Sequence, residues 1–151
     1  MIKKSVTCED FNGNPYEQDC YFHLSESELV EFETSMNGGV TTMFEKILKE
    51  TDVEKIMREF KKFFLMSYGE KSLDGRHFLK NDRVLEDFVS SPAYDKIFME
   101  LCQDPEAQIA FIRGVMPKRV TDSKEFQEQV EQLKDQQTAL PVVETPAAAS
   151  N

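Results

Sequence analysis

The run Tyr68-Gly69-Glu70-Lys71-Ser72-Leu73-Asp74-Gly75-Arg76-His77-Phe78-Leu79-Lys80 constrains this chain more than any other. It is the only long stretch of the first 117 residues with neither helical periodicity nor strand alternation. Asp74-Gly75 marks a turn within it. The run reads as a hinge, with a hairpin and three helices before it and three short helices after it.

Residues 2–10 alternate, with Ile2, Val6 and Cys8 on one face, interrupted by Lys4. Residues 16–24 do the same with Tyr16, Cys20, Phe22 and Leu24. Between them Asn12-Gly13-Asn14-Pro15 offers the positive φ of a tight hairpin. A two-stranded ribbon is marginal alone, so its apolar face must lie on helices or an edge must pair.

Ser25 and Glu28 have capping-box spacing, and Leu24 and Leu29 have hydrophobic-staple spacing. They predict a first helix carrying Leu29, Phe32 and Met36, stopped by Asn37-Gly38-Gly39. Val40, Met43, Phe44, Ile47 and Leu48 predict a second over 40–50. The third is the longest. Thr51 and Glu54 suit a capping box, Ile56, Met57, Phe60, Phe63, Phe64 and Tyr68 make a stripe, and Gly69 reads as its stop. Beyond the hinge, Asn81 or Asp82, Ser91-Pro92 and Asp104-Pro105 each open a short helix.

The expected fold is α+β, mainly α: an N-terminal β-hairpin packed on a compact bundle of about six helices, with a flexible C-terminal tail. Residues 1–117 form the domain, 118–138 a weak amphipathic helix seamed by Phe126, Val130 and Leu133, and 139–151 a disordered tail.

Charge and motifs bound the function. Up to Pro117 there are 14 basic against 22 acidic residues, and 4 against 6 beyond it, so the acidity belongs to the domain. Such a field repels phosphate backbones, which argues against nucleic acid. No apolar run is long enough for a membrane span. The N-terminal residues show no signal-peptide pattern, so a cytoplasmic location is expected. Cys8, Cys20 and Cys102 lack metal-ligand spacing. Cys8 and Cys20 lie on opposite hairpin arms and could face one another, although two reduced core thiols are the simpler reading. His23 and His77 belong to no metal or triad arrangement. The chain reads as a non-enzyme without cofactor or metal.

The candidate partner-binding residues are Phe60, Phe63, Phe64, Leu65, Met66, Tyr68, Arg76 and Phe78. Phe63-Phe64-Leu65-Met66 spans more than one helix face, so part of it is either sandwiched between layers or left for a partner. Met43, Met57, Met66, Met99 and Met116 could add a soft apolar groove, against the alternative of plain core packing. Lys71, Arg76 and Lys80 are either a loop tied by local salt bridges, with Arg76 facing an acidic helix, or a recognition loop.

Tyr68 to Ser72, Asp74-Gly75-Arg76 and Phe78-Leu79-Lys80 also carry a family pattern. So do Asp10-Phe11-Asn12-Gly13, Phe22-His23-Leu24, Ile97 to Leu101, and Phe111 to Pro117. Across residues 1–117 the chain resembles the tail assembly chaperones of long-tailed, siphovirus-type bacteriophages of the Gram-positive group. The resemblance implies binding of the tape measure protein, a very long helical polypeptide, and help in bringing tail tube protein to it. It also implies a longer form made by ribosomal frameshifting, and departure before the virion is finished. Self-association is a further expectation. The competing classes are a minor structural tail or head-completion protein of the virion, and a small phage effector that binds a host protein.

Overall fold

The computed structural model describes residues 1–35 and 52–135. The expected Asn37-Gly38-Gly39 stop, the helix over 40–50 and the tail over 139–151 lie outside the described residues.

The alternating N-terminal segments are strands β1 (Ile2–Glu9) and β2 (Pro15–Phe22). Val6, Cys8, Cys20 and Phe22 are buried beneath them, and Lys3, Ser5, Glu17 and Asp19 face outward. Gly13 has φ 85° in the turn, and the Asp10 carboxylate accepts the amides of Asn12 and Asn14 at 2.8 Å. The register sets Cys8 against Tyr16 and Cys20 against Lys4, so the two thiols do not face each other; both are buried and free.

The hairpin is half of a larger sheet. The hinge folds into β3 (Tyr68–Lys71) and β4 (Phe78–Leu79), giving a four-stranded antiparallel sheet in the order β1-β2-β3-β4. Gly75, at φ 73°, closes the second turn. The strands are too short, and β3 too glycine-interrupted, for alternation to reveal them. Their pairing to β2 through Tyr21↔Gly69 and Phe22↔Tyr68 is long-range.

Seven helices occur among the described residues. Helix α1 (Glu26–Ser35) opens with the reciprocal box: the Ser25 amide donates to Glu28 Oε2 at 2.8 Å, and the Glu28 amide donates to Ser25 Oγ at 3.2 Å. Helix α2 (Val53–Ser67) is capped by Asp52 rather than by the residue before it, and the Asp52 carboxylate accepts the Glu54 amide at 3.0 Å. It ends without a glycine stop, because Tyr68 turns directly into extended backbone. Gly69 serves closeness instead: a Cβ there would overlap the Phe78 ring and crowd the Leu79 carbonyl.

Asn81, Ser91 and Asp104 cap α3 (Asp82–Val89), α4 (Pro92–Gln103) and α5 (Pro105–Val115). Each has a side-chain oxygen on a first-turn amide, as short polar side chains before a helix favour. The chain continues into α6 (Lys118–Thr121) and α7 (Lys124–Asp135). Phe126 and Val130 of α7 enter the same core as Phe22 and Phe64, so that core extends past Pro117.

Phe64 sits at the centre of the core. Its ring lies 5.1 Å from Phe22, 5.5 Å from Phe111, 5.6 Å from Phe98 and 5.9 Å from Phe88, one ring each from β2, α5, α4 and α3. Backbone bonds join the layers. The His23 amide donates to the Ser67 carbonyl at 2.7 Å, and the Leu24 amide donates to Val115 at 3.0 Å, satisfying carbonyls at two helix ends.

Candidate functional site

The apolar run near the end of α2 has two fates. Phe60, Phe63 and Phe64 are buried, and Tyr68 stacks on Phe88 at 3.7 Å with the rings 8° apart. These four are core side chains. Leu65 and Met66 fall on the other flank of the helix and are only half-buried. Eight of the fifteen residues of α2 are apolar and spread over more than one face, and among the described residues the sheet and α3–α5 cover only part of them.

Leu65 and Met66 line a groove of about 160 Å³ between the end of α2 and the start of α3. Tyr68, Val84 and Leu85 complete its apolar wall, and Lys80, Asn81 and Asp82 form its polar side. Leu85 was not among the expected residues. Its signal lay in α3: eight residues holding Val84, Leu85, Phe88 and Val89 cannot turn all four inward. Only Val84 and Phe88 are buried.

The rim is electrostatically organised. The Lys80 ammonium donates to Glu28 Oε1 at 2.7 Å and to the His23 carbonyl at 2.6 Å, tying the end of β4 to the start of α1. Burial pushes the Glu28 carboxyl up, but the bonds from Lys80 and Ser25 outweigh it and leave its pKa lowered. Burial pulls the Lys80 ammonium down by more than Glu28 raises it. Beside them the His23 ring is edge-on to Phe78, and its Nδ1 is buried without a hydrogen-bond partner among the described residues. Burial, the N-terminal charge and Lys80 all lower its pKa.

The structure thus brings Leu65, Met66 and Tyr68 together at the groove. It sets Phe78 against Gly69 and under Lys80, and leaves Arg76 exposed on the second turn. Among the described residues the Arg76 guanidinium makes no ion pair with an acidic helix or any other group. Lys71 lies over the Tyr21 ring at 5.0 Å. Of the expected methionine groove, only Met66 lines this one; Met116 is buried, Met57 and Met99 are half-buried elsewhere, and Met43 lies outside the described residues.

Among the described residues no group of three or more His, Cys, Asp or Glu side chains could hold a metal ion. Burial pushes the Cys20 and Cys102 thiols up to about 11, which suppresses the reactive thiolate. Among the described residues no helix is long and apolar enough to cross a membrane.

The chain is a mainly helical α+β domain with a half-open groove at the end of α2. The chain matches a phage tail assembly chaperone family across residues 1–150 and belongs to that family. Its partners are accordingly proteins of tail assembly. No curated protein and no solved structure matches the chain.

Proposed function

We propose that this chaperone binds and solubilises the tape measure protein of a phage of the Gram-positive group, and that it seats one apolar row of a client helix on Leu65, Met66 and Leu85. The observation that carries the reading is the groove at the end of α2, open among the described residues, on a chain whose family acts in tail assembly. Amphipathic helices are recognised by shallow apolar grooves that accept side chains at helical spacing. A groove this small gives weak single contacts, and many copies along a long client supply avidity. Lys80 is paired with Glu28, while Asp82 gives the polar side of the groove an acidic group.

The protein acts in the host bacterial cytoplasm and leaves before the virion is complete. Tail tube subunits are recruited by a longer, frameshifted form that shares this domain. Co-expression with the tape measure protein of the same phage tests the reading. The soluble fraction of the client rises, and the two co-purify through gel filtration. An insoluble client with nothing co-purifying would refute it. Mass spectrometry of purified particles finds no copy of this chain; its presence would make it a virion component instead.

A further inference from the structure

Nδ1 of His23 is the one buried side-chain nitrogen or oxygen without a hydrogen-bond partner among the described residues. His23 stands where the hairpin gives way to helix: β2 ends at Phe22, and α1 begins at Glu26. Its backbone is fixed on both sides. The His23 amide donates to the Ser67 carbonyl of α2 at 2.7 Å, and the His23 carbonyl accepts the Lys80 ammonium at 2.6 Å. The His23 and Phe78 rings meet edge-on with centroids 6.0 Å apart, and the Lys80 ammonium lies 5.6 Å from the centre of the same Phe78 ring. Imidazole and ammonium thus share one aromatic neighbour.

That ammonium also donates to Glu28 Oε1 at 2.7 Å, and the two side chains are only 18% and 32% exposed. A single cation therefore joins the ends of β2 and β4 to the first turn of α1. Neutral His23 fits this junction, and charged His23 does not. Among the described residues three charged groups bear on the ring: the Met1 ammonium, which donates to the Gly114 carbonyl, Lys80 after β4, and Glu28 of α1. Two of the three are cations. The single carboxylate is already engaged by Lys80 and by the Ser25 amide. Protonation obliges both ring nitrogens to donate, and Nδ1 has no acceptor among the described residues. It also sets a second cation beside a half-buried ammonium, where water screens little.

We propose that His23 is the pin of an acid-sensitive latch: protonating its ring parts Lys80 from Glu28 and from the His23 carbonyl, and frees the start of α1 from the end of β4. The two cations then compete for Glu28, and the junction that one of them held no longer closes. Lys80 also lines the polar side of the groove, so that side loosens with the latch, whatever the groove binds.

The test uses the full chain with His77→Gln, which leaves His23 as the only histidine. His77 is exposed on the second turn, and its backbone bonds to Ser72 do not involve its ring. Proton–nitrogen spectra follow the chain from about pH 7.5 to about pH 5. The His23 ring should titrate with a midpoint below about 6.5, the ordinary histidine value. The amides of Ser25 to Glu28 and of Leu79 to Asp82 should shift with that same midpoint. Lys80→Met removes a cation and releases Glu28, so the midpoint should rise; Glu28→Gln should lower it. His23→Gln should abolish the concerted shift. A midpoint at or above about 6.5 would overturn the proposal. So would a midpoint that neither partner variant moves, or a titration felt only by His23 and Phe78, since the ring would then turn outward while the junction holds. Should Lys80→Met fail to fold, the midpoint and the two amide segments of the parent chain decide alone.

Discussion

At the scale of single residues, Gly69 sits where the sheet leaves no room for a side chain. Its hydrogen faces the Phe78 ring and the Leu79 carbonyl, so a methyl group there must displace backbone as well as a side chain. Gly69→Ala is expected to cost about 1–3 kcal/mol by the overpacking rule, read as a shift of the urea midpoint. An unchanged midpoint would mean that β4 is free to retreat. From the sequence this glycine reads as a helix stop, because a glycine after a long apolar stripe commonly is one. Closeness to a residue nine positions on leaves no local signal. The same limit applies to Phe63, Phe64, Leu65 and Met66. Their run shows that one helix face is insufficient, but only the packed structure divides them into core and rim.

Among the elements, the Lys80 contact decides how α1 sits on the sheet. Lys80→Met leaves Glu28 half-buried without its cation and the His23 carbonyl without its donor. The expected loss is about 1–3 kcal/mol, typical of a charged hydrogen bond removed from one side. Adding Glu28→Gln should restore part of it, since the stranded charge is then gone. Simple additivity of the two losses would argue against coupling. Acid probes the same contacts. Asp10 is held below the ordinary carboxylate range by the Asn14 amide, Asp19 by the Ser5 hydroxyl, Asp74 by the Ser72 hydroxyl, and Glu28 by Lys80 and Ser25 against the effect of burial. Each therefore contributes stability that is complete above its unfolded pKa and lost as pH falls through its folded value. Urea midpoints should begin to fall below about pH 6.5, where the unfolded chain protonates His23 but the fold disfavours its charge, and fall further below about pH 4 as the carboxylates protonate. A midpoint that rises on acidification would contradict the signs. The helix starts at Ser25, Asn81, Ser91 and Asp104 are legible in sequence because a cap is settled within three residues. Strands β3 and β4 are not, because two short segments become strands only when β2 lies alongside.

For the molecule as a whole, the core draws on both ends of the described chain. Phe126 and Val130 fill it from α7, although their segment reads as a weak helix with a single seam. A seam that would be thin for a free helix is enough for one that buries only two or three side chains. Phe126→Ala is expected to cost about 3–5 kcal/mol. A change within about 0.5 kcal/mol, as surface positions give, would show that the folded unit ends near Pro117.

The most direct measurement of the client site is a variant that spoils the groove and spares the core. Leu65→Asp with Met66→Asp alters two half-exposed side chains and leaves Phe60, Phe63 and Phe64 untouched. Circular dichroism should show helicity unchanged and Tm lowered by only a few degrees, while co-purification with the tape measure protein falls at least about tenfold, a loss near 1.4 kcal/mol. Retention of the client at wild-type levels by a folded double variant would contradict the account.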